Sequence, residues 1–460
     1  MRSQLGGRHM KKVLIANRGE IARRIIQTCK KLHIETVAIY AEADADLPFV
    51  KEADFAFLIG PSQVQQSYLK ADDIVALAIR EGVDAIHPGY GLLSENSTFA
   101  RKVEEAGLLF IGPTPETIDK MGDKIGSRQT MEEASVPVVP GTDAGVHSLE
   151  DAIQEANRIG YPIMLKASSG GGGIGMVRCE DEQALSQNFV SVKNRAKAYF
   201  GDDVVFLEKF IANGRHIEVQ IFGDTHGNVV HLFERNCSVQ RRNQKVIEES
   251  PSPHFPEEAR ERLLKAAVDA AKAVNYRNAG TVEFIVDDQN QFYFLEMNTR
   301  LQVEHPVTEE VTGFDLVEWQ IKVANGEALP VTNQQEIHTK GHALEFRIYA
   351  EDPKTFFPSP GTIKSLNWGH FTDVRIDSGY EEGNAVTPFY DPMIAKVIVS
   401  GSTRTAAIEK AQNFFSSVTI EGVKTNVPLF KAFLDAKEFK DGTYTTDVLP
   451  KWIDQQKEEK

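Results

Sequence analysis

The sequence predicts an α/β protein that begins with a parallel sheet. Three observations favour this class. Short apolar runs alternate with segments of helical period up to about residue 122, a glycine-rich loop separates two strand-like runs in the middle of the chain, and further strands with a long helix-like segment follow residue 339. The hydrophobic content of 41% and the charged content of 25% are those of an ordinary globular protein.

The first region, residues 10–122, shows the alternation most clearly. An apolar strand at residues 13–16 precedes a turn and a helix in which Ile21, Ile25 and Cys29 recur at helical spacing. Strand-like "ETVAIYAE", helix-like "ADDIVALAIREG" and strand-like "VDAIHPGYG" follow. This alternation predicts a Rossmann-like unit with a parallel sheet. Its first turn, "ANRGEI", lacks the G-x-G-x-x-G fingerprint of dinucleotide sites.

The rest of the chain divides by its content of polar residues and predicted elements. Residues 123–338 hold the glycine loop and most polar residues inside predicted strands, whereas residues 339–450 mix strands with a helix. We expect residues 451–460 to form a tail. Residues 1–9 resemble sequence left by cloning, with Met10 as the expected natural start.

Composition excludes several classes of function. The net charge of −15 argues against a surface for nucleic acid or for an anionic membrane. The three cysteines are an odd and sparse set, which indicates a reducing cytoplasm without structural disulfides. No apolar run reaches the roughly 18 residues that a membrane-spanning helix needs. We therefore expect a cytoplasmic protein.

The glycine loop lies in "PIMLKASSGGGGIGM", residues 162–176. Such a loop serves either as a linker or as a backbone cradle for phosphate oxygens. The P-loop form needs Gly-Lys-Ser/Thr at the start of a helix, but here strand-like "MVRC" follows Ile174 and Gly175. The sequence therefore predicts a loop between two strands. Lys166 favours the cradle, because a lysine in a buried strand needs an anionic partner, which a triphosphate would supply.

The segment "TVEFIVDDQNQFYFLEMNTR" predicts a β-hairpin with carboxylates on facing strands. If the turn centres between residues 289 and 290, Glu283 lies opposite Glu296, and Asn298 shares the face of Glu296. Facing like charges destabilise a hairpin unless a cation lies between them. Oxygen ligands close to phosphate suit Mg²⁺ or Mn²⁺ rather than zinc.

The same alternation places Phe292 and Phe294 on the face of Glu296, which predicts that this face is not simply solvated. The alternative is that Glu283 and Glu296 are exposed glutamates on an edge hairpin.

The next segment, "NTRLQVEHP", carries a second polar set. In an extended chain Arg300, Gln302 and Glu304 point one way, while Leu301 and Val303 point the other way. A guanidinium, an amide and a carboxylate beside a metal–phosphate site can hold a small planar oxyanion and take a proton from it. The alternative is a surface ion pair between Arg300 and Glu304.

Several segments together resemble the biotin carboxylase family of ATP-grasp enzymes. They are "HPGYGLLSEN", "MGDK", "KASSGGGGIGM", "FLEKF", "CSVQRRNQK", "FLEMNTRLQVEHPVTE" and "EFRIYAEDP". The resemblance extends from Met10 to about residue 450. It implies an ATP-grasp fold with a Rossmann-like N-terminal domain, a central domain whose glycine-loop lid covers about residues 138–210, and a C-terminal domain.

The resemblance also implies a role for each matching residue. The residues implied for ATP are Lys124, Lys166, Gly171, Gly172, Gly173, Glu208, Lys209, Ile211, His216 and Gln240. The residues implied for two Mg²⁺ or Mn²⁺ ions are Glu283, Glu296 and Asn298, and those for bicarbonate are Lys245, Arg300, Gln302, Val303 and Glu304. Arg347 and Tyr90 are implied for biotin, and the catalytic set is Glu304, Arg300, Arg347 and Lys245.

The implied activity is the ATP- and bicarbonate-dependent carboxylation of biotin through carboxyphosphate. No Ala-Met-Lys-Met-like biotin attachment sequence and no acyl-CoA-binding domain follow residue 450, so we expect a separate biotin carboxyl carrier protein and carboxyltransferase subunits. The resemblance further implies a homodimer and the first half-reaction of a multisubunit acyl-CoA carboxylase, with acetyl-CoA as the expected substrate in fatty acid biosynthesis.

Three alternatives remain open. Another ATP-grasp ligase, acting on an amino acid or a purine precursor, is disfavoured by the segment from Arg300 to Glu304. A non-catalytic nucleotide-binding regulator could lose Glu296 or Glu304, and both are present. A complete multidomain carboxylase would need the carrier and transferase segments as well.

Two positions depart from the family pattern. Ile174 stands where the family often has Arg or Lys, which removes one charge from the loop. Asn243 replaces a common histidine, which puts one nucleotide contact in question.

Cys237 lies eight residues before Lys245, but a buried inert thiol explains it better than a thiolate mechanism.

Overall fold

The computed structural model describes residues 10–168 and 175–458. Its first region is a parallel sheet with strand order β3-β2-β1-β4-β5, as the alternation predicts. The strands are β1 (Lys12–Ile15), β2 (Glu35–Ala41), β3 (Phe55–Gly60), β4 (Ala85–His87) and β5 (Leu109–Phe110). The helices are α1 (Gly19–Lys31), α2 (Pro48–Glu52), α3 (Ala71–Arg80), α4 (Ser97–Glu105) and α5 (Pro115–Gly122).

Helix α1 follows the central strand directly and buries the predicted apolar face. Ile21, Ile25 and Cys29 are fully or almost fully buried in the same core as Val13 and Ile15. The turn before α1 carries Asn17 and Arg18 at the carboxyl end of β1, and Glu20 follows in the first turn of α1. Parallel sheets commonly place functional residues at this end.

The glycine loop connects two strands of a small sheet with strand order β7-β6-β8. Its strands are β6 (Ile163–Ala167), β7 (Met176–Cys179) and β8 (Val205–Lys209), and the nearby helices are α6 (Lys124–Glu133), α7 (Leu149–Ile159) and α8 (Glu182–Phe200). Lys166 pairs with Met176, which confirms an antiparallel hairpin around the loop. The predicted phosphate contacts Gly171, Gly172 and Gly173 and the substituted Ile174 lie outside the described residues.

A large antiparallel sheet joins the second and third predicted regions. Its strand order is β13-β12-β9-β10-β11-β14-β19-β17. The strands are β9 (Arg215–Gly223), β10 (Val229–Arg241), β11 (Gln244–Ser250), β12 (Asn278–Val286), β13 (Phe292–Asn298), β14 (His342–Tyr349), β17 (Val374–Ser378) and β19 (Met393–Gly401). Because β11 pairs with β14, the sheet continues across residue 339 without a break.

Helices and small sheets cover this large sheet. The helices are α9 (Glu257–Ala273), α10 (His305–Thr312), α11 (Leu316–Ala324), α12 (Arg404–Ser417), α13 (Val427–Phe433), α14 (Lys437–Asp441) and α15 (Val448–Glu458). The small sheets pair β15 (Gly361–Thr362) with β18 (Ala385–Val386) and β16 (Ser365–Asn367) with β20 (Thr419–Glu421). Within residues 10–168 and 175–458, no helix combines the length and the apolar character needed to cross a membrane.

Strand β14 shows how alternation separates the core from a polar face. Phe346 is fully buried, with its ring 4.9 Å from Phe415 and 5.2 Å from Phe430. Successive side chains point to opposite faces of a strand, so Arg347 points away from this aromatic core. The sheet therefore offers one face to the helices α12 and α13 and aims Arg347 at the other face.

The β12–β13 hairpin confirms one register prediction and corrects another. Glu283 lies opposite Glu296, as predicted. However, Phe284 pairs with Phe294, so the register shifts by one residue and a bulge forms at Leu295. The prediction that the phenylalanines of β13 share the face of Glu296 is therefore wrong, because a bulge moves the residues beyond it to the other face. Phe294 packs in the core instead.

Candidate active site

Most of the predicted polar residues line one cavity of about 660 Å³ between the small sheet and the large sheet. The predicted residues in its wall are Lys124, Lys166, Glu208, His216, Gln240, Lys245, Glu283, Glu296, Asn298, Arg300, Gln302, Val303, Glu304 and Arg347. They come from positions up to 223 residues apart in the chain, so the fold and not local sequence brings them together.

Some predicted residues lie elsewhere. Lys209 points away from the cavity and donates hydrogen bonds from Nζ to the carbonyl oxygens of Gly160 at 2.7 Å and Tyr161 at 3.1 Å. Ile211 follows β8 and is not part of the cavity wall. Tyr90 lines a second cavity next to the first.

Lys245 is the centre of the site. Its Nζ lies 2.8 Å from Glu218, 2.9 Å from Glu283 and 2.7 Å from Glu304. These carboxylates come from β9, from β12 and from the turn before α10, and all are buried. Buried carboxylates this close together repel one another unless a cation lies among them, and Lys245 is that cation.

The pKa of Lys245 is raised, whereas the pKa values of two of its carboxylate partners are lowered. Burial alone would lower the pKa of Lys245, but the surrounding carboxylates raise it well above its ordinary value. Burial alone would raise the pKa of Glu304, but Lys245 and then Arg347 lower it well below the usual range. The pKa of Glu283 is lowered in the same way, first by Lys245 and then by His216. Glu283 and Glu304 are therefore ionised beside a protonated lysine at neutral pH, whereas burial and the nearby Glu304 raise the pKa of Glu218.

The Glu283–Glu296 pair has the donor set that a hard divalent cation prefers. Asn298 Nδ2 donates to Glu283 Oε1 at 2.7 Å, and Gln302 Nε2 donates to the same oxygen at 3.0 Å. In contrast, no donor from the described part of the chain reaches Glu296, whose pKa is raised by burial and by Glu283. Because one carboxylate of the pair lacks a partner, the residues fit a metal ion at this position.

Two lysines lie at the other end of the cavity. Lys166 forms an ion pair with Glu208, so its anionic partner in the structure is a carboxylate. Lys124 is the first residue of α6. Burial lowers the pKa of Lys124, and Glu296 acts against this effect. At this end of the cavity, two cationic side chains therefore lie beside the β6–β7 hairpin, whose two strands the glycine loop connects.

His216 and Gln240 form a hydrogen-bonded pair. Gln240 Nε2 lies 2.9 Å from His216 Nδ1, and it donates to the carbonyl oxygen of Cys237 at 2.7 Å. The other ring nitrogen of His216 lies 3.1 Å from Glu283 Oε2. The pair therefore connects β10 to Glu283, one of the two carboxylates that fit a metal ion.

The segment after β13 brings Arg300, Gln302 and Glu304 together, but through different contacts from those expected. Arg300 Nη1 donates to Gln302 Oε1 at 2.5 Å, and Arg300 Nε donates to Glu95 at 3.1 Å. The alternative of a surface ion pair between Arg300 and Glu304 is therefore wrong. The prediction that Val303 points away from the site is also wrong, because the chain turns before α10 and Val303 lines both cavities.

Arg347 is buried and connects the two cavities. Its Nε donates to Glu248 Oε1 at 2.6 Å, and its Nη2 donates to Glu304 Oε2 at 3.0 Å. A surface pair with Glu345 or Glu351 is excluded. Glu345 is fully buried and accepts no hydrogen bond from the described residues, and Glu351 pairs with Arg241 at 3.0 Å. Burial alone would lower the pKa of Arg347, but Glu248 and other neighbours raise it well above its ordinary value.

Sequence reasoning missed Glu95, Glu218 and Glu248. Glu218 lies directly opposite Glu283 on the neighbouring strand, and its other oxygen accepts a hydrogen bond from Arg235 at 2.7 Å. The pairing of β9 with β12 would have revealed Glu218. Glu95 belongs to the first region, 205 residues before Arg300, and no local pattern connects them.

The second cavity, of about 490 Å³, is more aromatic. Its wall includes Tyr90, Phe389, Tyr390 and Met393, and it shares Gln244, Arg300, Val303 and Arg347 with the first cavity. The Tyr90 hydroxyl donates a hydrogen bond to Glu20. Cys237 is fully buried beside Glu304, as predicted, and burial raises the pKa of its thiol well above the ordinary value.

Comparisons with known proteins cover nearly the whole chain. Family models match in three parts: biotin carboxylase, N-terminal domain, at residues 9–118; carbamoyl-phosphate synthase L chain, ATP binding domain, at residues 123–332; and biotin carboxylase C-terminal domain, at residues 345–451. The biotin carboxylase of Halalkalibacterium halodurans is 57% identical over 436 residues, which are 95% of this chain and 96% of that protein.

Solved structures agree with these matches. A biotin carboxylase of Campylobacter jejuni in complex with β,γ-ATP has a TM-score of 0.94 at 44% identity, with 96% of this chain and 99% of that chain covered. The biotin carboxylase domain dimer of Hydrogenobacter thermophilus 2-oxoglutarate carboxylase, solved with MgADP, ADP and bicarbonate, has a TM-score of 0.93 at 47% identity, with 96% and 98% covered. The chain belongs to the biotin carboxylase family of ATP-dependent ligases.

Proposed function

We propose that this chain uses ATP and bicarbonate to carboxylate biotin that is carried on a separate protein. The observation that carries the proposal is the contact of Glu304 with both Lys245 and Arg347, at 2.7 and 3.0 Å. Glu304 lines the first cavity together with Glu283 and Glu296, and Arg347 lines both this cavity and the second one, which contains Tyr90. Two reacting partners can therefore enter from opposite sides and meet at Glu304, Arg300 and Arg347.

ATP occupies the first cavity. Lys124 and Lys166 lie near its phosphates. The resemblance to biotin carboxylases assigns Gly171, Gly172 and Gly173, which lie outside the described residues, to the same phosphates. On nucleotide binding, Lys166 exchanges part of its contact with Glu208 for phosphate oxygens. Glu208, His216 and Gln240 make the base and ribose side of the same site, whereas the side chains of Lys209 and Ile211 lie outside the cavity wall. The Mg-nucleotide in the Hydrogenobacter relative supports this assignment.

Glu283, Glu296 and Asn298 hold the divalent ions that accompany ATP, and two Mg²⁺ or Mn²⁺ ions fit the oxygen donors. A bound Mg²⁺ supplies positive charge that offsets the oxygens of the transferred phosphoryl group. The protein's own part is to hold Glu283 with Lys245, Asn298 and Gln302 while the Glu296 carboxylate is left for the ion.

Substitution Glu296→Gln should lower metal-dependent turnover by two or more orders of magnitude, about 3 kcal/mol of transition-state stabilisation. The change removes one negative charge and keeps the shape of the side chain, so the thermal unfolding midpoint should stay close to that of the wild type. Glu310→Gln, on α10 outside the cavity wall, is the matched control. Turnover near the wild-type value with an unchanged Mg²⁺ requirement would show that Glu296 binds no metal.

Lys245, Arg300, Gln302, Val303 and Glu304 bind bicarbonate. Lys245 and Arg300 supply the positive charge that an oxyanion needs, and they also make the bound bicarbonate more acidic. Glu304 is ionised, as its lowered pKa requires, and so it can accept the bicarbonate proton. A bicarbonate oxygen then attacks the γ-phosphorus, the bond to ADP breaks, and carboxyphosphate forms.

Arg347 and Tyr90 act on biotin. Carboxyphosphate breaks its C–O bond to give CO₂ and phosphate, the phosphate takes the biotin N1′ proton, and N1′ attacks CO₂. Negative charge develops on the ureido oxygen of biotin as the proton leaves. The Arg347 guanidinium is fixed by Glu248 and Glu304 close to this position, and a cation placed where charge develops stabilises the transition state.

Substitution Arg347→Ser should lower kcat for biotin carboxylation by about 100-fold or more, while the affinity for ATP stays close to that of the wild type. The interaction forms mainly in the transition state, so kcat changes more than KM. Arg241→Ser, which removes a nearby arginine that pairs with Glu351, is the matched control. Loss of ATP affinity in parallel with turnover would exclude Arg347 from this role.

The overall reaction is tested by its requirement for all substrates. Purified protein with Mg²⁺ should release ADP at a substantial rate only when bicarbonate and free biotin are both supplied, because carboxyphosphate formation needs the first and its productive consumption needs the second. Omitting each in turn gives the controls. Full activity with an amino-acid or purine acceptor in place of biotin would contradict the proposal.

The partners that we propose are a biotin carboxyl carrier protein and carboxyltransferase subunits in the cytoplasm. Acetyl-CoA is the proposed final acceptor, which makes malonyl-CoA the product of the assembled complex. We also propose a homodimer, and the dimeric Hydrogenobacter relative supports it. That relative belongs to a 2-oxoglutarate carboxylase, so assay of the purified native complex with acetyl-CoA and with 2-oxo acids distinguishes the two classes of acceptor.

A further inference from the structure

Lys396 is a fully buried lysine that none of the steps above uses. It lies on β19 directly opposite Arg347 of β14. Its Nζ donates a hydrogen bond to the carbonyl oxygen of Val303 at 2.8 Å and lies 3.2 Å from Glu20 Oε1. Burying an ammonium group is costly, so its partners must be held firmly in place.

Glu20 continues the contact into the first region. It lies at the start of α1, and its side chain is 2% exposed. The oxygen that faces Lys396 also accepts the hydrogen bond from the Tyr90 hydroxyl. Among residues 10–168 and 175–458, no donor reaches the other oxygen of Glu20. Lys396 and Glu20 therefore connect Tyr90 on one wall of the second cavity to Val303 on another wall.

A second carboxyl, Glu345, also lies close to Lys396, but it is not the main anionic partner. Glu345 is fully buried opposite Glu248, and no donor in the described ranges reaches either of its oxygens. Burial raises the pKa of Glu345 well above its ordinary value, with Lys396 acting in the opposite direction. Asp377 lies directly opposite Lys396 on β17, but it pairs with Arg375 at 2.9 Å. Glu20, at 3.2 Å, is the carboxylate within ion-pair distance of Lys396.

We propose that Lys396 and Glu20 are positioning residues that hold Tyr90 and the Val303–Glu304 turn in register across the second cavity. The ammonium fixes the backbone immediately before Glu304, and the carboxylate fixes the hydroxyl of Tyr90. The pair thereby aligns the biotin ring with the carbon that comes from bicarbonate. The inference rests on the proposed roles of Tyr90 and Glu304.

The pair predicts distinct effects for its two members. Lys396→Met removes the donor to Val303 and leaves Glu20 without its cation, so kcat for biotin-dependent ADP release should fall by about tenfold or more. Glu20→Gln keeps an acceptor for Tyr90 but removes the charge, so KM for biotin should rise several-fold. MgADP binds in the other cavity, and its Kd should stay within about twofold of the wild-type value in both variants.

The double variant separates positioning from a simple loss of packing. Lys396→Met should also raise the KM for biotin, because the Glu20 carboxylate that holds Tyr90 loses its cation. Lys396→Met with Glu20→Gln contains no unpaired carboxylate at this contact, so its KM for biotin should rise less than that of Lys396→Met. It should not regain kcat, because the Val303 carbonyl still lacks its donor. Such non-additivity is expected for residues in direct contact. Lys410→Met on α12, which breaks a 2.8 Å pair with Asp373, is the matched control and should behave as the wild type.

The experiment is steady-state kinetics with free biotin, combined with calorimetric titration of MgADP. Wild-type kinetics in both single variants, purely additive effects, or a parallel loss of MgADP affinity would overturn the inference. If Lys396→Met does not fold, the test depends on Glu20→Gln alone. An unchanged KM for biotin in that variant would overturn the inference. A wild-type protein without biotin-dependent ADP release would instead contradict the proposed function.

Discussion

One buried ammonium group holds the site together. Lys245 lies within 2.9 Å of Glu218, Glu283 and Glu304, which come from separate elements of the fold. Without a cation among them, these carboxylates would repel one another or take up protons. With it, the pKa values of Glu283 and Glu304, on the two sides of Lys245, are lowered and both carboxylates stay ionised. The chemistry of both sides therefore depends on the same charge.

The large sheet brings the partners of Lys245 within reach. Glu218 and Glu283 are cross-strand neighbours on β9 and β12, and Lys245 is the second residue of β11, which pairs with β14. Because side chains alternate along a strand, Phe346 supports the sheet from the core while Arg347 points to Glu304. A single continuous sheet thus contributes to the walls of both cavities.

The sequence predicts the parallel first region, the hairpin around the glycine loop and the Glu283–Glu296 pairing, because each depends on local periodicity or on a short turn. It does not predict the bulge at Leu295, which follows from how the hairpin packs and not from the turn. Glu95 and Glu218 could not be found either, since their contacts arise from chain segments far apart in sequence. Local sequence patterns therefore do not predict contacts between site residues that lie far apart in the sequence.

The account is tested most directly by replacing the shared cation and measuring both sides of the site. In Lys245→Met, we expect the Mg²⁺ concentration needed for nucleotide binding and the KM for bicarbonate to change together, by about tenfold or more each, because Glu283 and Glu304 lose the same partner. Titrating Mg²⁺ and bicarbonate separately against the variant measures the two effects. A change in the bicarbonate KM with an unaltered Mg²⁺ dependence would contradict the claim that one charge organises both sides.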